Sequence, residues 1–136
     1  MSPPVRVGIG VVEADGKYLI GIRPPDTVLP GMAEFPGGKC ESDETPRACV
    51  VRECREETGL IVLPTLHLAT INHEYEHGPV ELHFWRCCLA NGSPSSSSPR
   101  PPFRWAEKAE LTGLTFPEAN GPILDMLQQD SEAAGD

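Results

Sequence analysis

The sequence predicts a single α/β domain, and three observations lead to that fold class. Strand-like apolar segments occur on both sides of one short helix. A Pro/Gly-rich loop at residues 24–38 leads into that helix. The chain has 136 residues and shows no internal repeat, which suits one domain with a proper core. We expect this domain to span residues 1–129 and an acidic, disordered tail to follow at residues 130–136.

The predicted strands, loop and last helix follow from local signals along the chain. Residues 5–12 and 17–22 are strand-like and are joined by Asp15-Gly16, a strong hairpin signal. Two further strands, at 66–76 and 80–89, lie around His77-Gly78-Pro79. A Ser/Pro-rich loop at 91–102 lacks apolar periodicity and is expected to be mobile. The last predicted elements are a short strand at 104–106 and a helix at 117–129 with apolar Ile123, Leu124 and Leu127.

The central helix has clear start and stop signals. Thr45 is a good N-cap, and Pro46 fits the first helical position because its missing N–H costs nothing there. Gly59 suits the left-handed residue that follows a helix. The helix is therefore expected at residues 46–58, with Val50 and Cys54 on its apolar stripe.

Three glutamates, Glu53, Glu56 and Glu57, fall within about 100° of one face of this helix. Like charges at this spacing repel one another, and two of them lie near the negative end of the helix dipole. One interpretation is a solvated acidic face. The other is a site for a hard cation such as Mg²⁺ or Mn²⁺, which prefers oxygen ligands and would relieve the repulsion. Arg52 can orient one of these carboxylates or hold the preceding loop.

Residues 38–60 resemble the Nudix box, whose pattern is Gly-x5-Glu-x7-Arg-Glu-U-x-Glu-Glu-x-Gly-U with U a bulky apolar residue. Gly38, Glu44, Arg52-Glu53, Glu56-Glu57 and Gly59 match every fixed position, and Cys54 is smaller than the usual aliphatic residue. The resemblance implies an α/β/α sandwich with a mixed sheet. It also implies Mg²⁺-dependent hydrolysis, with Mn²⁺ as a substitute metal, and a metal set of Glu53, Glu56, Glu57 and the Gly37 carbonyl.

The flanking segments resemble the MutT-type members, which hydrolyse 8-oxo-dGTP to the monophosphate and pyrophosphate. Arg23 lies where that subfamily has a nucleotide-contacting arginine, and Glu34–Lys39 reads EFPGGK. Residues 116–120 match the FPxAN segment, whose asparagine, here Asn120, contacts the oxidised guanine. The resemblance thus implies Arg23, Phe35 and Asn120 as substrate-binding residues and a role in nucleotide-pool sanitation and DNA repair.

The residues themselves leave alternatives open. Asn120 offers a donor and an acceptor to a purine edge, but asparagine is also common as a helix cap. Phe35 can stack on a base or belong to the core. Arg23 can bind phosphate or sugar or be a surface charge, and Lys39 can neutralise phosphate charge. We read His73, His77 and His83 as strand-surface or loop residues, because no zinc-site spacing includes them.

One departure from the MutT-type pattern concerns the loop before the last short strand. That subfamily carries a further glutamate there, whereas residues 93–104 contain no acidic residue. The identity of the catalytic base is therefore undecided. Glu107 and Glu110 are candidates to replace it only after a loop shift.

Composition restricts the partners. The formal net charge of −9 argues against nucleic acid as the main partner, because phosphate backbones favour positive surfaces, but it allows a small nucleotide bridged by metal. No apolar run is long enough for a membrane span, and no signal-like segment is visible, so we expect a cytoplasmic protein. The five cysteines are expected to be reduced and mostly buried. A monomer and a homodimer are both compatible with the sequence.

The sequence leaves three candidate functions. The favoured one is pyrophosphohydrolysis of nucleoside triphosphates, with 8-oxo-dGTP as the leading substrate. The second keeps the chemistry and changes the substrate to another nucleoside diphosphate linked to a moiety X, such as CTP or a pterin triphosphate. The third is a non-catalytic nucleotide-binding module.

Overall fold

The computed structural model describes residues 3–26, 30–90 and 98–135. Its seven strands are β1 (Val5–Ala14), β2 (Lys17–Ile22), β3 (Ala33–Glu34), β4 (Gly37–Lys39), β5 (Val62–Tyr75), β6 (Gly78–Leu89) and β7 (Phe103–Glu107). Its α-helices are α1 (Pro46–Thr58), α2 (Lys108–Leu111) and α3 (Gly121–Gly135), and a 3₁₀ turn at Glu118–Asn120 precedes α3. No helix among the described residues is long and apolar enough to cross a membrane.

The strands form a mixed sheet in the order β3-β2-β1-β6-β5, with β4 also paired to β1 and β7 to β2. Strand β1 runs parallel to β6 and antiparallel to β2 and β4. Neighbouring residues of β1 and β2 point to opposite faces, so that Val11 and Ile20 belong to one core and Val12 and Leu19 to the other. Helix α3 packs on the first core and α1 on the second. The predicted α/β/α sandwich with a mixed sheet is confirmed.

Two elements match their predicted bounds. Helix α1 covers residues 46–58, and β2 covers 17–22. The turn between β1 and β2 is also confirmed, since Asp15 and Gly16 both have positive φ, at 51° and 77°, as the tight hairpin turn requires.

Other bounds differ from the predictions. Strand β5 begins at Val62 rather than at residue 66, because two bulges let it follow β6 past Pro64 and His67. The β5–β6 turn is at residues 76–77, one residue earlier than predicted, because Gly78 already pairs with Tyr75.

The loop predicted at 24–38 also contains β3 and part of β4, which are too short to give a periodic signal. The last helix continues beyond Gln129 to Gly135. The separate tail at 130–136 stays a prediction, and the mobile loop predicted at 91–102 falls mostly outside the described residues.

Candidate active site

Helix α1 is held at both ends by the residues that predicted it. The Thr45 side chain accepts a hydrogen bond from the Ala48 N–H at 3.1 Å, which caps the first turn. Gly59 adopts φ 80°, and its N–H donates to the Arg55 carbonyl. The helix lies close to β1, because added Cβ atoms on Gly8 and Gly10 would meet the side chains of Cys49 and Cys54. The acidic face of α1 is thereby fixed beside β4.

Arg52 is the centre of a charged network at the start of this face. Its guanidinium binds both carboxylate oxygens of Glu44, at 2.7 and 2.9 Å, and donates to Glu53 at 2.9 Å and to Glu56 at 3.1 Å. It also donates to the Lys39 carbonyl at 3.0 Å. These hydrogen bonds lower the pKa of Glu44 to about 2 and raise the pKa of Arg52. Arg52 thus contacts both a carboxylate of the acidic face and the preceding loop, the two alternatives that the sequence left open.

Glu57 has the opposite environment. It accepts a hydrogen bond from the Gly37 N–H at 2.8 Å, and no salt bridge includes it among the described residues. Burial raises the pKa of Glu57 to about 7, the Gly37 hydrogen bond opposes this, and the charges of Glu34 and Glu53 raise it further. The charge of Arg23 opposes this rise only in part, so Glu57 is hard to ionise beside two other carboxylates, an arrangement that an added cation would relieve.

The donor chemistry of this place fits a hard divalent cation. Glu53, Glu56, Glu57 and the Gly37 carbonyl offer only oxygen atoms. As the side chains stand, Glu53 and Glu56 are turned toward Arg52, and no three acidic, histidine or cysteine side chains of the described ranges converge on a common point. These residues would hold the cation once both carboxylates turned away from Arg52.

A cavity of about 200 Å³ adjoins this acidic set. Gly37 belongs to both, since it lines the cavity and donates its N–H to Glu57. Phe35 is 5% exposed and stacks on Phe116 with ring centroids 5.1 Å apart, so it is a core residue and also a wall of the cavity. The cavity brings together the three predicted substrate-binding residues, and its lining is Val7, Ile9, Arg23, Glu34, Phe35, Gly37, Tyr75, Leu82, Pro117 and Asn120.

The polar residues of the cavity are held by neighbours. Arg23 donates to Glu34 at 2.8 Å, which fixes its guanidinium at the cavity rather than in open solvent. Asn120 ends the 3₁₀ turn, and its Nδ2 donates to the Pro117 carbonyl at 3.2 Å. A capping side chain would accept a hydrogen bond from a helix N–H, whereas this one donates to a carbonyl. The contact that the structure gives this side chain is thus a donation, and base contact by Asn120 stays a prediction.

Lys39 is placed elsewhere. Its side chain is exposed and lines a different cleft, together with Arg6 and Cys40, whereas only its backbone carbonyl reaches Arg52. The structure does not bring Lys39 into the cavity with Arg23, Phe35 and Asn120.

The family of the chain follows from comparison with known proteins. The model of the NUDIX domain family matches residues 8–126. The chain belongs to the Nudix family. It is a Nudix hydrolase, and the box that its sequence displays is the segment that the structure places beside the cavity.

Two sequence relatives and one solved structure are similar to this chain over most of its length. The chain is 37% identical to the CTP pyrophosphohydrolase of Escherichia coli K12, over 89% of each protein. It is 29% identical to the 8-oxo-dGTP diphosphatase of the same strain, over 92% of this chain and 97% of that protein. The solution structure of MutT from methicillin-resistant Staphylococcus aureus 252 aligns over 96% of this chain and 99% of its own, with a TM-score of 0.74 and 30% identity.

The end of the loop that lacks the MutT-type glutamate contacts helix α1. Residues 91–97 lie outside the described part, but Arg100 donates from its guanidinium to the Glu56 carbonyl and from its backbone N–H to the Thr58 carbonyl. It thus satisfies carbonyls at the end of α1. Glu107 and Glu110 form a capping box at α2 and pair with Lys17 and Arg104, and neither lines the cavity, so a replacement of the missing acid stays a prediction.

Two residues of the site were not predicted from the sequence. Glu34 reaches the site through the pairing of β3 with β2, where it binds Arg23 and raises the pKa of Glu57. Tyr75 lines the cavity from β5 and has His73 and His77 on either side, with ring centroids 4.4 and 5.6 Å away. The EFPGG segment itself was the available signal for Glu34. No local signal indicates Tyr75.

Proposed function

We propose that this Nudix hydrolase converts nucleoside triphosphates to monophosphate and pyrophosphate with Mg²⁺, and that 8-oxo-dGTP is its leading substrate. The observation that carries the proposal is the position of Gly37, which lines the cavity and also holds Glu57. A base bound in the cavity would therefore have its phosphates next to the acidic set.

The residues of the site have separate proposed roles. Glu53, Glu56, Glu57 and the Gly37 carbonyl would bind Mg²⁺, with Mn²⁺ as a substitute, and the metal supplies phosphoryl polarisation and a bound water of lowered pKa. Arg52 binds Glu53 and Glu56 as the side chains stand, and it keeps the loop at Glu44 in place. Arg23 is a candidate contact for sugar or phosphate, and Lys39 for the departing pyrophosphate from its exposed position.

Asn120 supports recognition of the base. Within the described residues, no hydrogen bond occupies its Oδ1, and the Nδ2 keeps a second hydrogen. Oxidised guanine presents an N7–H donor beside the O6 acceptor, which complements an amide. Unmodified guanine presents acceptors at both positions, so its N7 would face the Asn120 oxygen.

A second substrate, CTP, is favoured by a separate observation. The relative with 37% identity is named CTP pyrophosphohydrolase. Cytosine also presents an amino donor beside a ring acceptor, so an amide is compatible with it. Asn120 alone does not separate the two bases, and the pterin triphosphate alternative has no observation in its favour.

The test is Mg²⁺-dependent release of pyrophosphate from 8-oxo-dGTP, dGTP, CTP and dCTP. We expect the highest kcat/KM with 8-oxo-dGTP. We also expect Asn120→Ala to lower that value about 10- to 100-fold, since each unpaired buried hydrogen bond costs about 1–3 kcal/mol. Asn72→Ala, at an exposed residue of β5, is the matched control and should leave the rates unchanged.

Glu53→Gln separates catalysis from binding. It should nearly abolish turnover of every substrate while the far-UV spectrum and Tm are kept. A near-normal rate at saturating Mg²⁺ would refute the metal set. Higher turnover of CTP than of 8-oxo-dGTP would keep the mechanism and replace the substrate, and binding without turnover in the wild type would favour the non-catalytic alternative.

A further inference from the structure

Two thiols outside the proposed chemistry lie where β4 meets α1. Cys40 directly follows β4, and its N–H donates to the Arg6 carbonyl at 2.8 Å, so the backbone continues the ladder with β1. Cys49 is fully buried in the first half of α1, and its thiol donates to the Gly38 carbonyl at 3.3 Å. Neither sulfur forms a disulfide in the structure.

The register of the strands places these two side chains against each other. Gly8 and Gly38 are paired, and added Cβ atoms would meet Cys49 and Glu53 respectively, so both glycines face α1. Cys40 is two residues after Gly38 and therefore points to the same face, about 6.7 Å further along the strand. Cys49 is four residues before Glu53, about 6 Å back along the helix. Cys40 is thus positioned over Cys49 as Gly38 is over Glu53.

The electrostatics of the thiols agree with this position. Burial raises the pKa of Cys49 to about 12, and the neighbouring Cys40 thiol contributes to the rise. This agrees with the position that the strand register gives the two side chains.

We propose that Cys40 and Cys49 form a reversible disulfide when the protein meets a hydroperoxide. Cys40 is the thiol that an oxidant reaches first, because it is half-buried and lines an open cleft with Arg6 and Lys39, whereas Cys49 is closed off beneath β1. The bridge would fasten the loop that carries Glu44 to the helix that carries Glu53. This proposal does not depend on the nucleotide that the enzyme prefers.

The chemistry balances with hydrogen peroxide as the oxidant. The Cys40 sulfur, as thiolate, attacks one peroxide oxygen, the O–O bond breaks, and the released hydroxide takes a proton to leave as water. The Cys49 sulfur gives up its proton and attacks the Cys40 sulfenic acid, so that the S–S bond forms, the S–O bond breaks and a second water leaves. Two thiols are oxidised and one peroxide is reduced to two waters, and a dithiol reductant reverses the bridge.

Tryptic mapping tests the pairing in the full chain. Arg47 lies between the two cysteines, so trypsin separates residues 40–47 from residues 48–52 unless a disulfide joins them. Cys54 falls in the fragment 53–55, and Cys87 and Cys88 fall together after Arg86, so every other pairing gives a different mass. After peroxide treatment and alkylation of free thiols, we expect the joined fragments 40–47 and 48–52, and we expect dithiothreitol to release them.

Thermal unfolding tests whether the bridge fits the native geometry. A crosslink that closes a loop of ten residues stabilises the chain, and we expect Tm to rise by about 5–10 °C after oxidation. Cys40→Ser is the matched control, since its half-buried position tolerates the change, and peroxide should not raise its Tm. Cys88→Ser should behave like the wild type.

Three results would overturn the proposal. The first is oxidation of Cys40 to the sulfinic acid by peroxide, with no joined fragment detected. Another is a disulfide that involves Cys54, Cys87 or Cys88 in place of this pair. The third is a joined fragment accompanied by a lower Tm, which would mean that the bridge forms only in distorted or unfolded protein.

Discussion

Glu44 and Glu57 belong to the same Nudix box, and their surroundings are opposite in charge. Both oxygens of Glu44 are bound by the Arg52 guanidinium, and the pKa of this carboxyl falls to about 2. Glu57 is half-buried, accepts a hydrogen bond from the Gly37 N–H, and lies near Glu34 and Glu53, so burial and these charges raise its pKa to about 7.

The difference shows how one motif serves two purposes. At Glu44 the positive partner is built into the chain, and the pair fixes the loop between β4 and α1. No salt bridge includes Glu57 among the described residues, and the charges of Glu34 and Glu53 raise its pKa while that of Arg23 opposes them. A folded protein tolerates such an arrangement at a functional site, where a ligand can supply a compensating charge.

The largest expected effect compares the two glutamates by turnover. Glu57→Gln should lower kcat/KM about 10³-fold, because it removes a carboxylate from the proposed metal set. Glu44→Gln should lower it about 10- to 100-fold, since Glu44 acts through Arg52. Steady-state kinetics at saturating Mg²⁺ check both. Equal losses would contradict the division of roles.

The two glycines of β4 have different neighbours, which allows the role of Glu53 to be tested separately from stability. An added Cβ on Gly38 would meet the carboxylate of Glu53, a movable group, whereas one on Gly37 would meet the backbone of Gly8 and Ile9. We expect Gly38→Ala to lower turnover about 10-fold or more without changing Tm. We expect Gly37→Ala to lower both turnover and Tm. Gly113→Ala has ordinary contact distances and is the control. A Gly38→Ala protein with normal kinetics would show that Glu53 does not need its present position.

The stability of the metal-free protein should depend on pH through Glu57. Its pKa rises from 4.5 in the unfolded chain to about 7 in the folded one, so the folded state binds more protons in this window and the free energy of unfolding falls as pH rises. We expect a loss of about 1–3 kcal/mol between these limits. Urea unfolding in EDTA at pH 5 and pH 8 measures it. Glu57→Gln should flatten this dependence, and Mg²⁺ should reduce it in the wild type only.

The smallest effect concerns Glu44 and has the opposite sign. Because its pKa is lowered from 4.5 to about 2, its contribution to stability is complete above the upper value and is lost as pH falls toward the lower one. Glu44→Gln should therefore be less stable than the wild type at neutral pH and show a weaker acid dependence. Glu74→Gln, at an exposed residue of β5 outside the Arg52 network, is the control. Acid unfolding followed by circular dichroism checks this, and Mg²⁺ should not alter it.

The sequence by itself determined the elements that depend on neighbouring residues. The bounds of α1 follow from Thr45, Pro46 and Gly59, and the first hairpin follows from Asp15 and Gly16, because caps and tight turns are made within a few residues. The three-glutamate face follows from helical periodicity alone. The resemblance to the family added Gly37 and three of the residues that line the cavity, Arg23, Phe35 and Asn120.

Only the tertiary structure decided which groups meet. Asn120 lines the cavity and donates to the Pro117 carbonyl, whereas Lys39 is exposed and lines a different cleft. Glu34 reaches Arg23 and Glu57 through strand pairing. Such contacts depend on sheet register and on the packing of α1 against Gly8 and Gly10, which join residues far apart in the chain, so no local pattern in the sequence encodes them.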